Sequence, residues 1–141
     1  MRRYPGSRRN PQYGSDTLAE SLRGCRIAYR SVLDLGGRRR ADPHSQNTGL
    51  RNEAFRAYAD YMDTPEFRAA FMDLIAETKL RRTAILCSET VWWRCHRRLI
   101  ADDAVLLAET PVEHIIGATL RPHIVTEGAT VEGEYLRYVP L

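Results

Sequence analysis

Thr83-Ala84-Ile85-Leu86-Cys87-Ser88-Glu89 carries an apolar run into a polar turn, and five residues further on stands Cys95-His96-Arg97-Arg98. Counting Arg94, the twelve positions from Cys87 to Arg98 hold a carboxylate, two thiols, an imidazole and three guanidiniums. Those are the groups that acid/base, nucleophilic and anion-binding chemistry require. The unbroken run suits a strand buried on both faces. A helical pattern starts near Trp92 or Trp93, so the stretch is expected to form a strand-to-helix turn, the place where ligands bind in α/β proteins.

Working outward, Trp93, His96, Ile100, Ala104 and Leu107 recur at intervals of three and four, with Arg94, Arg97, Arg98 and Asp102 on another side. Upstream, Thr64-Pro65-Glu66 reads as an N-cap with proline at the first helical position. Phe67, Phe71, Leu74 and Ile75 follow at helical spacing, which predicts a helix packed on a sheet. Residues 52–61 read as another helix, and residues 16–23 as a short one capped by Ser15 or Asp16 and stopped at Gly24. Residues 27–32, 112–116 and 135–139 are further strand candidates, and residues 34–49 form a long polar loop. Strands alternating with helices predict an α/β fold: a small three-layer domain with a mostly parallel sheet flanked by helices.

The 141 residues fit one domain, and 43% hydrophobic residues can build a core without disulfides or metal. The net charge is +3, and 20 of the 21 basic residues are Arg. Guanidinium gives planar, forked recognition of phosphate and carboxylate; the plainer reading is a coding bias that puts Arg on ordinary solvated surface. Cys25, Cys87 and Cys95 are an odd set with no signal-peptide pattern ahead of them, which points to a reducing cytoplasmic setting. No apolar stretch approaches the span of a bilayer, so no membrane partner is expected.

Within the cluster, Cys95 is expected in the first helical turn among arginines, where thiolate is favoured and a nucleophile is plausible. Its plain alternative is a small buried residue near Leu99, and Cys87 at the end of an apolar strand reads more strongly as core. His96 is either an acid/base group or a core histidine. Glu89, directly after a buried strand, needs a cation or donors, which Arg97 or Arg94 would supply. Metal is not expected, because adjacent Cys95 and His96 on a helix project about a hundred degrees apart and no CxxC or HxxxH pair accompanies them. His114 and His123 are not placed by the sequence. Arg8-Arg9 and Arg38-Arg39-Arg40 sit in loops with Tyr4, Asn10, Gln12 and Tyr13, a mixture suited to phosphate and base contacts or simply to a solvated face. No Walker loop, GxGxxG or GxSxG occurs, and no cofactor is implied.

Several motifs in fixed order add a resemblance. They are Pro5-Gly6-Ser7-Arg8-Arg9-Asn10-Pro11-Gln12-Tyr13, Leu35-Gly36-Gly37-Arg38, Phe55-Arg56 with Tyr58-Ala59-Asp60-Tyr61-Met62, and Cys87-Ser88-Glu89 with Arg94-Cys95-His96-Arg97. Together they resemble the domain-of-unknown-function 488 family, from the first residues to about Thr126. The resemblance implies a small α/β domain, no established activity, and signature polar residues at Ser7, Arg8, Tyr58, Asp60, Glu89, Cys95, His96 and Arg97. This chain departs from the family pattern at Trp92, where proline is usual, and in the segment from Asp102 to Pro111. It also starts inside the usual second strand, so the N-terminal strand–helix unit is expected to be missing, leaving sheet flanks open to association.

The sequence therefore leads to a cytoplasmic domain that binds a phosphate-bearing ligand, nucleotide or nucleic acid, at this crevice. Glu89, Cys95 and His96 are the candidate catalytic residues. Ser7, Arg8, Tyr58, Asp60, Arg94 and Arg97 are the candidate ligand-binding residues. The rival expectations are a non-enzymatic binding or scaffold domain and a truncated inactive copy.

Overall fold

Two side-chain caps set the helical frame in the computed structural model of the chain, which describes residues 8–141. Asn52 Oδ1 accepts the amides of Ala54 and Phe55 at 2.9 and 3.3 Å and starts α2, Glu53–Tyr61. Thr64 Oγ1 accepts the amide of Phe67 at 3.4 Å and starts α3, Pro65–Leu80, whose first residue is the expected proline. Each cap satisfies amides that the helix itself leaves without a carbonyl. Ahead of them lies α1, Ser15–Gly24, which buries none of its residues.

The core assembles on α4, Arg97–Leu106, which buries six consecutive residues from Leu99 to Ala104. A helix buried on successive positions is covered all round, so α4 is the axis of the fold. Phe67, Phe71 and Ile75 of α3 join Leu99 and Ile100, together with Tyr58 and Met62 from α2 and its end, Leu35 from a 3-10 turn, and Leu136 and Tyr138 from the C-terminal strands.

The three-layer α/β domain with a mostly parallel sheet is not what forms. The described strands make two separate antiparallel hairpins, all after α4. β1, Glu113–Ile116, pairs with β2, Thr119–Pro122, in the register Glu113↔Pro122 to Ile116↔Thr119. β3, Ala129–Glu132, pairs with β4, Tyr135–Tyr138, from Ala129↔Tyr138 to Glu132↔Tyr135. Gly117 and Gly133 open the two-residue turns with φ of +59° and +63°, the left-handed geometry that tight hairpins favour.

Residues 27–32 and 83–87, the strands on which the parallel sheet depended, have no strand pairing among the described residues. Ile27 and Leu86 are 53% and 49% exposed. An apolar run is evidence of a buried strand only if neighbours flank it, and here Ile85 alone of its run packs against the core. Accordingly α3 packs on helices and a turn rather than on a sheet: Phe67 meets Tyr58 and Tyr61 edge-on at 6.0 and 5.9 Å. Among the described residues no helix is long and apolar enough to cross a membrane.

The long loop is tied down. Asn47, buried, donates through Nδ2 to Asp60 Oδ1 at 2.8 Å and accepts the amide of Tyr138 at 3.1 Å. Gly49 donates its amide to the Tyr138 carbonyl at 2.8 Å and runs so close to Val139 that a Cβ would strike its backbone. The loop thus staples α2 to β4, a structural duty that explains Asn47-Thr48-Gly49.

Arg68 of α3 pairs with Asp103 of α4 at 2.6 Å, while Asp103 Oδ1 is buried without a hydrogen-bond partner. Burial pushes this carboxyl from 3.8 up to about 6, against the opposing pull of Arg68. A raised folded value means the folded chain keeps its proton where the unfolded chain has released it. The stabilisation is full below pH 3.8 and is lost as pH rises to about 6. Asp103→Asn is expected to remove a pH-dependent difference on the order of 2–3 kcal/mol between those limits, read from urea melts at stepped pH. Parallel profiles for variant and wild type would refute the assignment.

Candidate functional site

Cys95 closes a 3-10 turn, Trp92–Arg94, in extended backbone with φ −121° and ψ 149°, and His96 is the N-cap of α4. The two therefore do not project from one helix. The extended residue swings the Cys95 sulfur toward the imidazole, with Sγ 3.6 Å from His96 Nδ1. Cys87, at the end of the irregular segment, brings its own sulfur to 4.0 Å from the same nitrogen. All three atoms lie within 4.8 Å of one another.

Two backbone amides serve these sulfurs, each from two residues onward. The Arg97 amide donates to Cys95 Sγ at 3.5 Å, and the Glu89 amide donates to Cys87. Arg97 adds its Nε to Cys95 Sγ at 3.4 Å and its Nη2 to the Glu89 carbonyl at 2.5 Å. The guanidinium thus bolts the two segments together. Cys95 is 2% exposed, whereas Cys87 is half-buried. The hydrogen bond from Cys95, with help from His96 and the Glu89 amide, draws the Cys87 thiol down to about 3. The same hydrogen bond and burial push Cys95 up. Cys87, read from sequence as core, is thus the more acidic thiol of the pair.

Gly37 explains a motif to which the sequence alone gave no role. A Cβ there would sit 2.8 Å from His96 Nδ1, so only glycine lets the Leu35–Gly37 backbone lie against the imidazole. Tyr58 packs its ring 4.8 Å from that of His96 and donates its hydroxyl to the Leu35 carbonyl at 2.7 Å. Burial raises the Tyr58 hydroxyl well above its ordinary value. Tyr58 is thus a wall behind the cluster that also fixes the glycine loop.

The other candidates fall unevenly. The Glu89 side chain is exposed, and Arg97 meets its carbonyl rather than its carboxylate. Arg94 is exposed at the end of the 3-10 turn. Asp60 is engaged elsewhere, accepting Ser45 Oγ and Asn47 Nδ2 at 2.8 Å each. Arg8 is exposed, and no described contact joins it to the cluster. Ser7 lies outside the described residues.

A second constellation adjoins the first. Asp102, placed by its spacing on the side of the helix that holds the arginines, is wholly buried. Its Oδ1 accepts His123 Nε2 and the Thr126 amide, both at 2.8 Å, and its Oδ2 accepts the Tyr138 hydroxyl at 3.0 Å. His123 Nδ1 meets His114 Nε2 at 2.9 Å, and Trp92 stacks on His114 at 4.0 Å with the rings parallel to 1°. Burial, then the charges of His123 and Arg97, lower His114 to about 4. Trp92 thus packs on an imidazole that senses the Arg97 charge.

Fold and cluster together define a small helical domain with C-terminal hairpins, whose cysteine–histidine–arginine group gathers at the start of its central helix. The chain belongs to the family described as domain of unknown function DUF488, whose profile matches residues 1–104. That match ends within α4, short of the two hairpins and of Thr126. No curated protein and no solved structure matches the chain.

Proposed function

We propose that the chain binds a phosphate-bearing anion, as a nucleotide or nucleic acid, over the opening of α4 where Cys87, Glu89, Cys95, His96 and Arg97 meet. The observation that carries this reading is Arg97. Its guanidinium is held in place by Cys95 and the Glu89 carbonyl, yet those bonds use only two of its five donors. It stands at the first position of a ten-residue helix, where the helix dipole also favours negative charge. Exposed Arg94 lies three residues away. Within this reading Glu89 and His96 are the acid/base groups and a cysteine sulfur the nucleophile, with half-buried Cys87 more accessible than Cys95. The same reading puts the chain in the cytoplasm, which the three free cysteines fit.

Thermal melts of the full chain with inorganic phosphate, nucleotides and short oligonucleotides test the proposal. The wild type is expected to be stabilised by at least one of them and Arg97→Ala to lose that shift. Stabilisation by none, or an equal shift in both proteins, would overturn it. A non-enzymatic scaffold is the second reading, favoured by the burial of Cys95 and the structural duties of Tyr58 and Asp60.

A further inference from the structure

The geometry points to a metal site: we propose that Cys87 Sγ, Cys95 Sγ and His96 Nδ1 bind a zinc-like divalent cation, leaving a fourth position open. This inference does not rest on the anion reading.

Distance is the first argument. A tetrahedral centre with Zn–S of about 2.3 Å and Zn–N of about 2.0–2.1 Å sets its ligand atoms about 3.6 Å apart for S···N and about 3.8 Å apart for S···S. The two S···N separations are 3.6 and 4.0 Å, and no pair in the triad exceeds 4.8 Å. Movements of an ångström or less, well within side-chain freedom, complete the geometry.

The surroundings are the second argument. Each sulfur accepts an amide from two residues onward, and Cys95 also accepts Arg97 Nε. Such donors support sulfur in its anionic form, and outer hydrogen bonds of this kind orient metal ligands. Two adjacent thiolates repel each other unless a cation lies between them. A divalent ion binds the thiols with loss of their protons and neutralises both sulfurs, and His96 contributes the lone pair of its imidazole.

Access is the third. Cys95 is buried while Cys87 and His96 are half-buried, so the triad has a closed floor and an open side. Gly37 leaves clear the space beside Nδ1 that any side chain would fill. Three protein ligands with one open position is the pattern of reactive rather than purely structural zinc. Occupancy would take both sulfurs out of any nucleophilic role, and an oxygen of a bound anion would be the natural fourth ligand.

The test uses the full chain, purified without chelator and then titrated with Zn²⁺ or Co²⁺ after chelator treatment. One equivalent of tightly held metal is expected. The cobalt form should show thiolate-to-cobalt charge-transfer absorption and the intense visible bands of tetrahedral cobalt. Cys87→Ser and His96→Ala are expected to weaken binding at least 100-fold, and Cys25→Ser, at an exposed thiol, to leave it unchanged. Should either site variant fail to fold, zinc protection of Cys87 and Cys95 from alkylation in the wild type reads the same contact. Absence of thiolate–cobalt absorption in the folded wild type, or equal binding by wild type and folded site variants, overturns the proposal, as does alkylation of both cysteines at a rate zinc does not change.

Discussion

Asp102→Ala is expected to lower the free energy of unfolding by about 3–5 kcal/mol, measured by urea titration at neutral pH. Asp102 is 0% exposed and accepts hydrogen bonds from His123, the Thr126 amide and Tyr138. Its removal leaves those three donors buried without an acceptor and a void beside α4. Asp102→Asn keeps the shape but replaces one acceptor oxygen with a donor, so it should recover only part of the loss. A cost for Asp102→Ala below about 1 kcal/mol would mean that water replaces the carboxylate and that the network carries little stability.

Phe67→Ala should cost a comparable amount, about 3–5 kcal/mol, through cavity formation. Phe67 is 0% exposed and lies between the rings of Tyr58, Tyr61 and Phe71, stacked on the last at 5.8 Å. Because Tyr58 also backs His96, the same change should loosen the cluster at the head of α4. Met72→Ala on the outer face of α3, where Met72 is 61% exposed, serves as the control and should change stability by less than about 0.5 kcal/mol. Equal effects at the two positions would contradict the buried face assigned to α3.

The helices were legible because their signals are local. Asn52, Thr64 and Pro65 announce helix starts through bonds made within three residues. The hairpins carry a local signal as well, in Gly117 and Gly133 at their two-residue turns. The parallel sheet fails at residues 83–87, since composition describes a strand's faces and says nothing of its neighbours. The cluster was legible as a list of residue types. Its geometry was not. One extended residue at Cys95 decides whether the thiol and His96 converge or diverge, and sequence periodicity assumed a helix there. The network of Asp102 with His123 and Tyr138 spans 21 and 36 residues, beyond the reach of any spacing rule.

Those long spans have a kinetic consequence. The hairpins touch water over much of their surface, and a four-residue antiparallel pair is marginal by itself. Yet β4 cannot peel away without stripping Tyr138 from Asp102 and from the Asn47 staple, and the 123–126 segment cannot leave without stripping His123 and Thr126. Either departure exposes α4 as well. The last strand of the chain is thereby bound to the most central helix, so the amide of Tyr138 should open to solvent only when that helix does, as part of one cooperative unit.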